Sequence, residues 1–547
     1  MSKHSNKKNR LVIGGLTSSA GLFLTKAIGI LYVAPFRAII GPDDYVYYAA
    51  GYELYNLILT ISLAGLPFAI AAIVSKYMEK EDYRTVMLVK KISQGLLAAF
   101  GLISSLAIIL FINQFVNTRG TITSDEALIY RNVYYIMTIS ILTVPILSSY
   151  RGFFQGIKNY TAYSFSQVLE QIVRIVFLLG VGALLVYGFK LDRITAVYMA
   201  LIASAVAAIA TIVYFAIFNR DAILSIDERS KLQDSPPRNT KSIIKELFVF
   251  AIPYLLSVIL SSRVSFANMA FLPSALQAYG YDSTISQLYT SMITNEALKL
   301  VGIPVVLATG FAVAVIPEMS QALVRNDQKT IQKNVSLSIE SVLLISLPLY
   351  ILIYFLANEI YFILFGGSEM IINMGGAITK GQVIVSIISI LSPILVPISM
   401  TLNLARESIM GLIVAFIFNL IILTPLVTYL GYVGSFIAEL LPTVLYLIVI
   451  FYYLSKKRNI KFKYTVRRIV LMFVAIIPMT MVYYLLHLIG LPVISLGRFK
   501  GLFTLAIYGI TMLTAYLITA HYFLLPQSIL NINLEMMAKK VFNRAHR

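Results

Sequence analysis

Residues 194–218 read ITAVYMALIASAVAAIATIVYFAIF, an unbroken stretch without a charged side chain. Wound as a helix at 1.5 Å per residue it runs about 37 Å, enough to cross a hydrocarbon core about 30 Å thick. The next residues, FNRDAILSIDERSKLQDSPPRNTK (218–241), are polar and of mixed charge around Pro236-Pro237. The same alternation of long apolar block and short polar interruption recurs from end to end. It predicts fourteen spans: 11–40, 46–75, 88–116, 129–156, 161–187, 194–218, 243–275, 285–322, 335–365, 377–404, 408–430, 433–454, 465–489 and 499–525. A helix satisfies its own backbone hydrogen bonds in lipid, so the expected fold is an all-α membrane bundle.

Composition agrees. Of the 547 residues 59% are apolar and only 13% charged, with a mean hydropathy of +0.82. An ordinary soluble domain carries about twice that charged share. The chain has no cysteine, which excludes disulfides and thiolate metal sites, and no tryptophan, so its 35 tyrosines supply the interfacial aromatic belt. The net charge of +19 is assigned to loops facing anionic lipid and not to a nucleic-acid partner. The basic start MSKHSNKKNR is followed by an apolar stretch too long for a signal peptide, and no cleavage site is evident.

Orientation follows from the cations. With a cytoplasmic N-terminus, and with cations near a span end counted with the adjoining loop, thirty-two of the 44 lysines and arginines fall on the inner segments and eight on the outer loops. Lys26, Arg174, Arg263 and Lys299 lie deep within spans. A fourfold excess on one face is the positive-inside pattern, and it places both termini in the cytoplasm.

Two stretches resemble each other. FAIAAI (68–73) followed by EDYRTV (81–86) matches FAVAVI (311–316) followed by NDQKTI (326–331). Six spans separate the copies, so the repeats run parallel through the membrane. The expected organisation is an N-lobe at 1–218, a cytoplasmic linker at 219–242, a C-lobe at 243–454, and two added helices with a basic tail at 455–547. Two such lobes suit alternating access around a central cavity.

No loop carries a phosphate-binding glycine motif, a paired-carboxylate motif or metal-spaced ligands, so neither an ATPase nor an enzyme is expected. His4 and His546 sit near the termini; His487 and His521 stand near span ends, where a structural role is expected. Attention therefore passes to ionisable groups inside the spans, which are costly in lipid and mark function by default. They are Lys26, Glu53, Glu170, Arg174, Arg263, Glu296, Lys299, Glu340 and Glu439. Glu170 and Arg174 stand i,i+4 and Glu296 and Lys299 i,i+3, so each pair could neutralise itself. Lys26 and Arg263 have no such neighbour on their own helix. They lie on the first span of each lobe, Arg263 within the polar patch SSRVSFAN; a Lys26–Glu53 bridge is the alternative reading.

The segments GLTSSAGLFLTKAIGILYVAPFRAIIG (15–41), YELYNLILTISLAGLPFAIAAIVSKY (52–77) and RGFFQGIKNYTAYSFSQVLEQIVRI (151–175) resemble the Gram-positive MurJ/SpoVB-like branch of the MOP (MATE-like) exporter superfamily. RGxxQG followed by SQxxEQxxR is the most specific element. The resemblance covers nearly the whole chain. It implies a V-shaped pair of six-helix lobes, with the last two helices flanking a groove for a lipid tail. It also implies a flippase for lipid II, the undecaprenyl-pyrophosphate-linked peptidoglycan precursor, in the bacterial cytoplasmic membrane. Cell-wall synthesis enzymes are the protein partners such a role implies. By motif position Lys26 and Lys299 match the family's essential cations of spans 1 and 8. Span 2 carries Glu53 where a cation is expected, a gap that Arg263 could fill. That departure favours, as an alternative, another polyprenyl-linked glycan (teichoic acid, capsule or spore cortex). A MATE-type cation-coupled drug exporter is a further alternative, but its cationic cargo calls for carboxylates where the unpaired deep residues here are two cations and one Glu. No cofactor is expected. The energy source stays open between the membrane potential and Na+ or H+ coupling, for which Glu53, Glu296 and Glu439 are candidate groups.

Overall fold

The computed structural model describes Gly29 and residues 32–530, apart from 65, 121, 235, 306–318, 320–321 and 324–325. Among the described residues the secondary structure is helical throughout, without a strand. Eleven of these helices are long and apolar enough to cross a membrane, and they coincide with the expected spans 3–7 and 9–14. The other three expected spans, 11–40, 46–75 and 285–322, include positions outside the described residues. The chain is a multi-pass membrane protein.

Backbone contacts divide the chain into two compact units, one combining Met1–Asn295 with Leu412–Glu439, the other Glu296–Gly411 with Leu440–Arg547. The first unit contains α1 (Val33–Ala64), α2 (Leu66–Glu79), α3 (Tyr83–Leu110), α4 (Ile112–Asn117), α5 (Ser124–Gly156), α6 (Tyr160–Ala183), α7 (Arg193–Ile217), α8 (Arg220–Lys231), α9 (Thr240–Ser261), α10 (Arg263–Tyr279) and α11 (Ser283–Ser291). A single π turn, Met292–Glu296, follows α11. The second unit is built on α12 (Gln328–Phe355), α13 (Ala357–Phe365), α14 (Glu369–Ser389), α15 (Ser392–Thr401), α18 (Lys463–Leu488) and α19 (Gly497–Tyr522). The long α16 (Ala405–Leu430) and α17 (Tyr432–Arg458) each contribute to both.

In lipid there is no hydrophobic drive between helices, so small residues that allow close approach decide where they pack. The RGxxQG motif is a case of this. A Cβ on Gly152 would stand 2.8 Å from the Pro67 carbonyl oxygen, and one on Gly156 would stand 2.6 Å from Val74 Cβ and 2.9 Å from the Ala71 carbonyl oxygen. The two glycines therefore seat α5 directly on α2, the helix that carries FAIAAI. Arg151 of the same motif turns to α6, where its guanidinium donates to Ser166 Oγ and carbonyl (3.2 Å each) and pairs with Glu170 at 2.6 Å. Both specific sequence elements are thus halves of one α2–α5–α6 junction.

The repeat is written in the backbone. Glu81 and Asn326, 245 positions apart, both adopt left-handed φ (55° and 54°). The Asp after each, Asp82 and Asp327, caps the following helix by accepting from Thr85 N at 3.0 Å and Thr330 N at 3.1 Å. With the Thr330 hydroxyl and backbone N–H both donating to it, the Asp327 carboxylate is held below its usual pKa. The same register recurs further along. Phe111 and Leu356 break their helices at nearly the same angles (φ −103°, ψ 19°; φ −100°, ψ 24°). Thr123 and Ser368 are N-caps, and Lys158 and Asn403 are left-handed at φ 62° and 57°.

The 219–242 stretch is ordered where it follows α7. Its helix α8 buries Ile226, and the chain then docks on the Glu81–Thr85 turn. Arg84 Nε donates to the Ser230 carbonyl (2.9 Å), Gln233 accepts from Arg84 N (3.0 Å), and Arg238 N donates to Thr85 Oγ1 (3.0 Å). The segment has too few apolar residues to fold alone and is held by the turn it lies on.

Candidate functional site

The α4–α5 end of the first unit holds a buried polar network. Glu53 of α1 pairs with Arg119 at 3.5 Å, and both side chains are only 4% exposed. Arg119 lies just past α4. Its Nε donates to Tyr134 Oη (2.9 Å), and its guanidinium lies over the rings of Tyr130 and Tyr134 on α5. Tyr130 Oη in turn donates to Gln287 Oε1 on α11 at 2.5 Å, and Gln287 Nε2 donates to Ser283 Oγ. One turn of network thus ties α1, the α4–α5 connection, α5 and α11 together. Nearby, Tyr45 Oη donates to Asn295 Oδ1 in the π turn (3.2 Å), the kind of local irregularity that gathers at functional positions. Val46, Ala49, Ala50, Thr290 and Thr294, with Glu53, Arg119 and Gln287, frame a small cleft.

Arg119 was not among the residues singled out from sequence. It stands in the polar connection NTRGTIT, outside any span. The available signal was its location, an arginine in a short connection between two expected spans. A charge pair this deep holds only because each partner compensates the other's lost hydration.

The other candidates distribute as follows. Lys26 lies outside the described residues, and with it the Lys26–Glu53 bridge; Glu53 pairs with Arg119. The expected Glu170–Arg174 self-pairing gives way to a cross-helix arrangement, because Arg151 reaches Glu170 from α5 while Arg174 donates to Gln171. Arg263 is buried at the start of α10, after a break in which Ser261 and Ser262 donate to the carbonyls of Ser257 and Val258. The polarity of SSRVSFAN is thereby partly that of a broken helix. Glu296 is buried in the second unit and accepts from the Tyr361 hydroxyl; Lys299, one turn on, is half-buried, as is Glu439. Glu340 pairs with Arg468 of α18 at 2.5 Å, fastening that helix to α12. His487 stacks on Tyr483.

A bundle with this layout has the fold of the MATE transporters of the MOP superfamily. An inward-facing multidrug resistance MATE transporter superposes with a TM-score of 0.65 at 16% identity, covering 79% of this chain and 94% of that one. The sequence profile of the family described as "Polysaccharide biosynthesis protein" matches residues 11–323, and the chain belongs to that family. Among characterised relatives, the lipid II flippase MurJ of Bacillus subtilis (strain 168) is 26% identical over 474 residues, 85% of this chain and 86% of that protein. Stage V sporulation protein B of the same organism is 22% identical over 364 residues, 66% of this chain and 68% of its own length.

Proposed function

We propose that this protein is a flippase that carries lipid II from the cytoplasmic to the outer leaflet by alternating access. The observation that carries the reading is the likeness to the lipid II flippase MurJ, which runs through 85% of this chain and 86% of that relative. The MurJ relative and the MATE structures are named for transport, and no step of covalent chemistry is called for. Fourteen spans in two parallel six-helix lobes, with both termini cytoplasmic, fit the fourfold cation excess on one face. The MATE chain is nearly spanned by this one, while about a fifth of this chain has no counterpart there. We assign that remainder to two added C-terminal helices, which suit a cargo with a long lipid tail. Lys26, Arg263 and Lys299 are the cations proposed to meet the pyrophosphate, each worth about 1.5–3 kcal/mol as a charge-assisted hydrogen bond. A Na+ or H+ gradient or the membrane potential drives the cycle.

The test is growth of a host depleted of its own lipid II flippase. Expression of this chain should restore growth, whereas Lys26→Ala and Arg263→Ala should each abolish rescue at normal expression. No rescue by the parent chain would move the cargo to another polyprenyl-linked glycan, a class compatible with a family described by polysaccharide biosynthesis.

A further inference from the structure

The two segments that cover the repeated turns differ in charge. Residues 220–238, over the Glu81–Thr85 turn, hold four cations and four carboxylates, and Lys231 pairs with Asp227 at 2.7 Å. Residues 456–468, over the Asn326–Thr330 turn, hold seven cations and no carboxylate. This second strap is fastened by Gln332, whose Nε2 donates to the Lys461 carbonyl (2.9 Å) and whose Oε1 accepts from Lys461 N (2.7 Å). The carboxylates around it are already engaged: Glu407 by Lys457, Glu340 by Arg468, and Asp327 by the Thr330 hydroxyl and N–H. Lys461, Lys463 and Arg467 are exposed and make no ion pair among the described residues.

Connectivity sets where these charges lie. α17 and α18 are both long and apolar enough to cross a membrane, and only residues 459–462 join them, so the cations cannot leave the membrane surface. The first strap belongs to the much longer connection between α7 and α9. On α18, Lys463, Arg467, Val470, Val474 and Ile477 follow at steps of four and three, which places them on one face. Val470 and Ile477 are each 55% exposed, so that face runs from cations directly onto open apolar surface. Orientation in the membrane counts lysines and arginines and is nearly indifferent to carboxylates, so it does not account for a strap without any.

We propose that this face binds an anionic phospholipid, with its phosphate against Lys461, Lys463 and Arg467 and its acyl chains along Val470–Ile477. The lipid supplies the negative charge that the strap lacks and relieves repulsion among its cations. It thereby holds the strap down on the Asn326–Thr330 turn. The surface serves this purpose whichever cargo the protein carries.

The chain has no tryptophan, so Tyr464→Trp, at a residue 75% exposed, sets a single reporter beside this face. The full-length protein is placed in vesicles of phosphatidylcholine and phosphatidylglycerol, with one or the other lipid brominated, and quenching reads which lipid is adjacent. Brominated phosphatidylglycerol should quench beyond its share, less so as salt is raised. On this background Lys463→Gln and Arg467→Gln should each cut the preference about fivefold, whereas Lys463→Arg should keep it. Leu232→Trp, on the first strap, should show no preference. In mixed micelles phosphatidylglycerol should raise the unfolding midpoint of the parent, but not of the variant combining Lys461→Gln, Lys463→Gln and Arg467→Gln. If that variant fails to fold, the two single variants decide. Equal quenching by the two lipids, the same preference at Leu232→Trp, or a preference that survives both single substitutions would each overturn the site. So would its loss to inorganic phosphate at constant ionic strength, which would mark a site for free anions.

Discussion

The stretches 77–159 and 322–404 share turns and caps and differ in chemistry. Their turns, helix break and caps recur at one register of 245 residues, down to the bonds Asp82 N to Tyr77 O and Asp327 N to Ala322 O. Even the way each turn is covered recurs. The first is clasped by the segment 229–238; the second is clasped by the segment after α17, where Lys461 N donates to Gln332 Oε1 and Gln332 Nε2 to the Lys461 carbonyl. Yet past the helix break the first copy carries Arg119, which pairs with Glu53, while at that register the second carries Leu364. There Glu296 is met by the hydroxyl of Tyr361. Backbone geometry outlasts side-chain chemistry because caps and breaks need only a short polar residue or a tolerated φ. A buried charge needs its own partner, and that partner can change.

The comparison breaks most sharply at its charged end. Arg119→Ala leaves Glu53 buried and uncompensated, a loss of about 3–5 kcal/mol. The second-copy equivalent, Tyr361→Phe, removes a neutral donor to a carboxylate and should cost about 1–3 kcal/mol. Thermal unfolding of both variants ranks them. Replacing both members of the first pair, Arg119→Leu with Glu53→Leu, should cost less than Arg119→Ala alone.

A second contrast sharpens the copies at their helix contacts. At the register of Gly152 and Gly156 the second copy has Pro397 and Thr401. Gly156→Thr should nevertheless destabilise the first copy by about 1–3 kcal/mol, since the new Cβ meets Val74 and the Ala71 carbonyl. Unfolding midpoints measure it, and a neutral outcome would mean that α2 and α5 pack more loosely than this.

The smallest effect is expected where the copies agree. Asp82→Ala and Asp327→Ala each remove one helix cap and should cost about 1 kcal/mol apiece, equal within error. A much larger loss for Asp82 would show that the strap at 229–238 depends on the shape of the turn beneath it.

Much of this was legible in the sequence because lipid allows so few answers. A block such as 194–218 must be a helix, and eleven of the expected spans stand where the hydropathy put them. The D-x-x-T cap in both copies could be read as well, since a cap is a local event between residues three apart. Pairings between helices could not. Glu170 and Arg174 satisfy the i,i+4 rule, but α5 brings Arg151 closer to Glu170, and helical spacing says nothing of a neighbouring helix. Arg119 lay beyond reach for a similar reason, as a loop residue whose burial depends on how α1 and α5 close around it. The sequence by itself thus determined eleven of the spans and the turn that recurs 245 residues on. Each follows from a period, a short spacing or a transfer cost that a single segment carries. Only the tertiary structure decided which charges meet, because burial and partner choice belong to several helices at once.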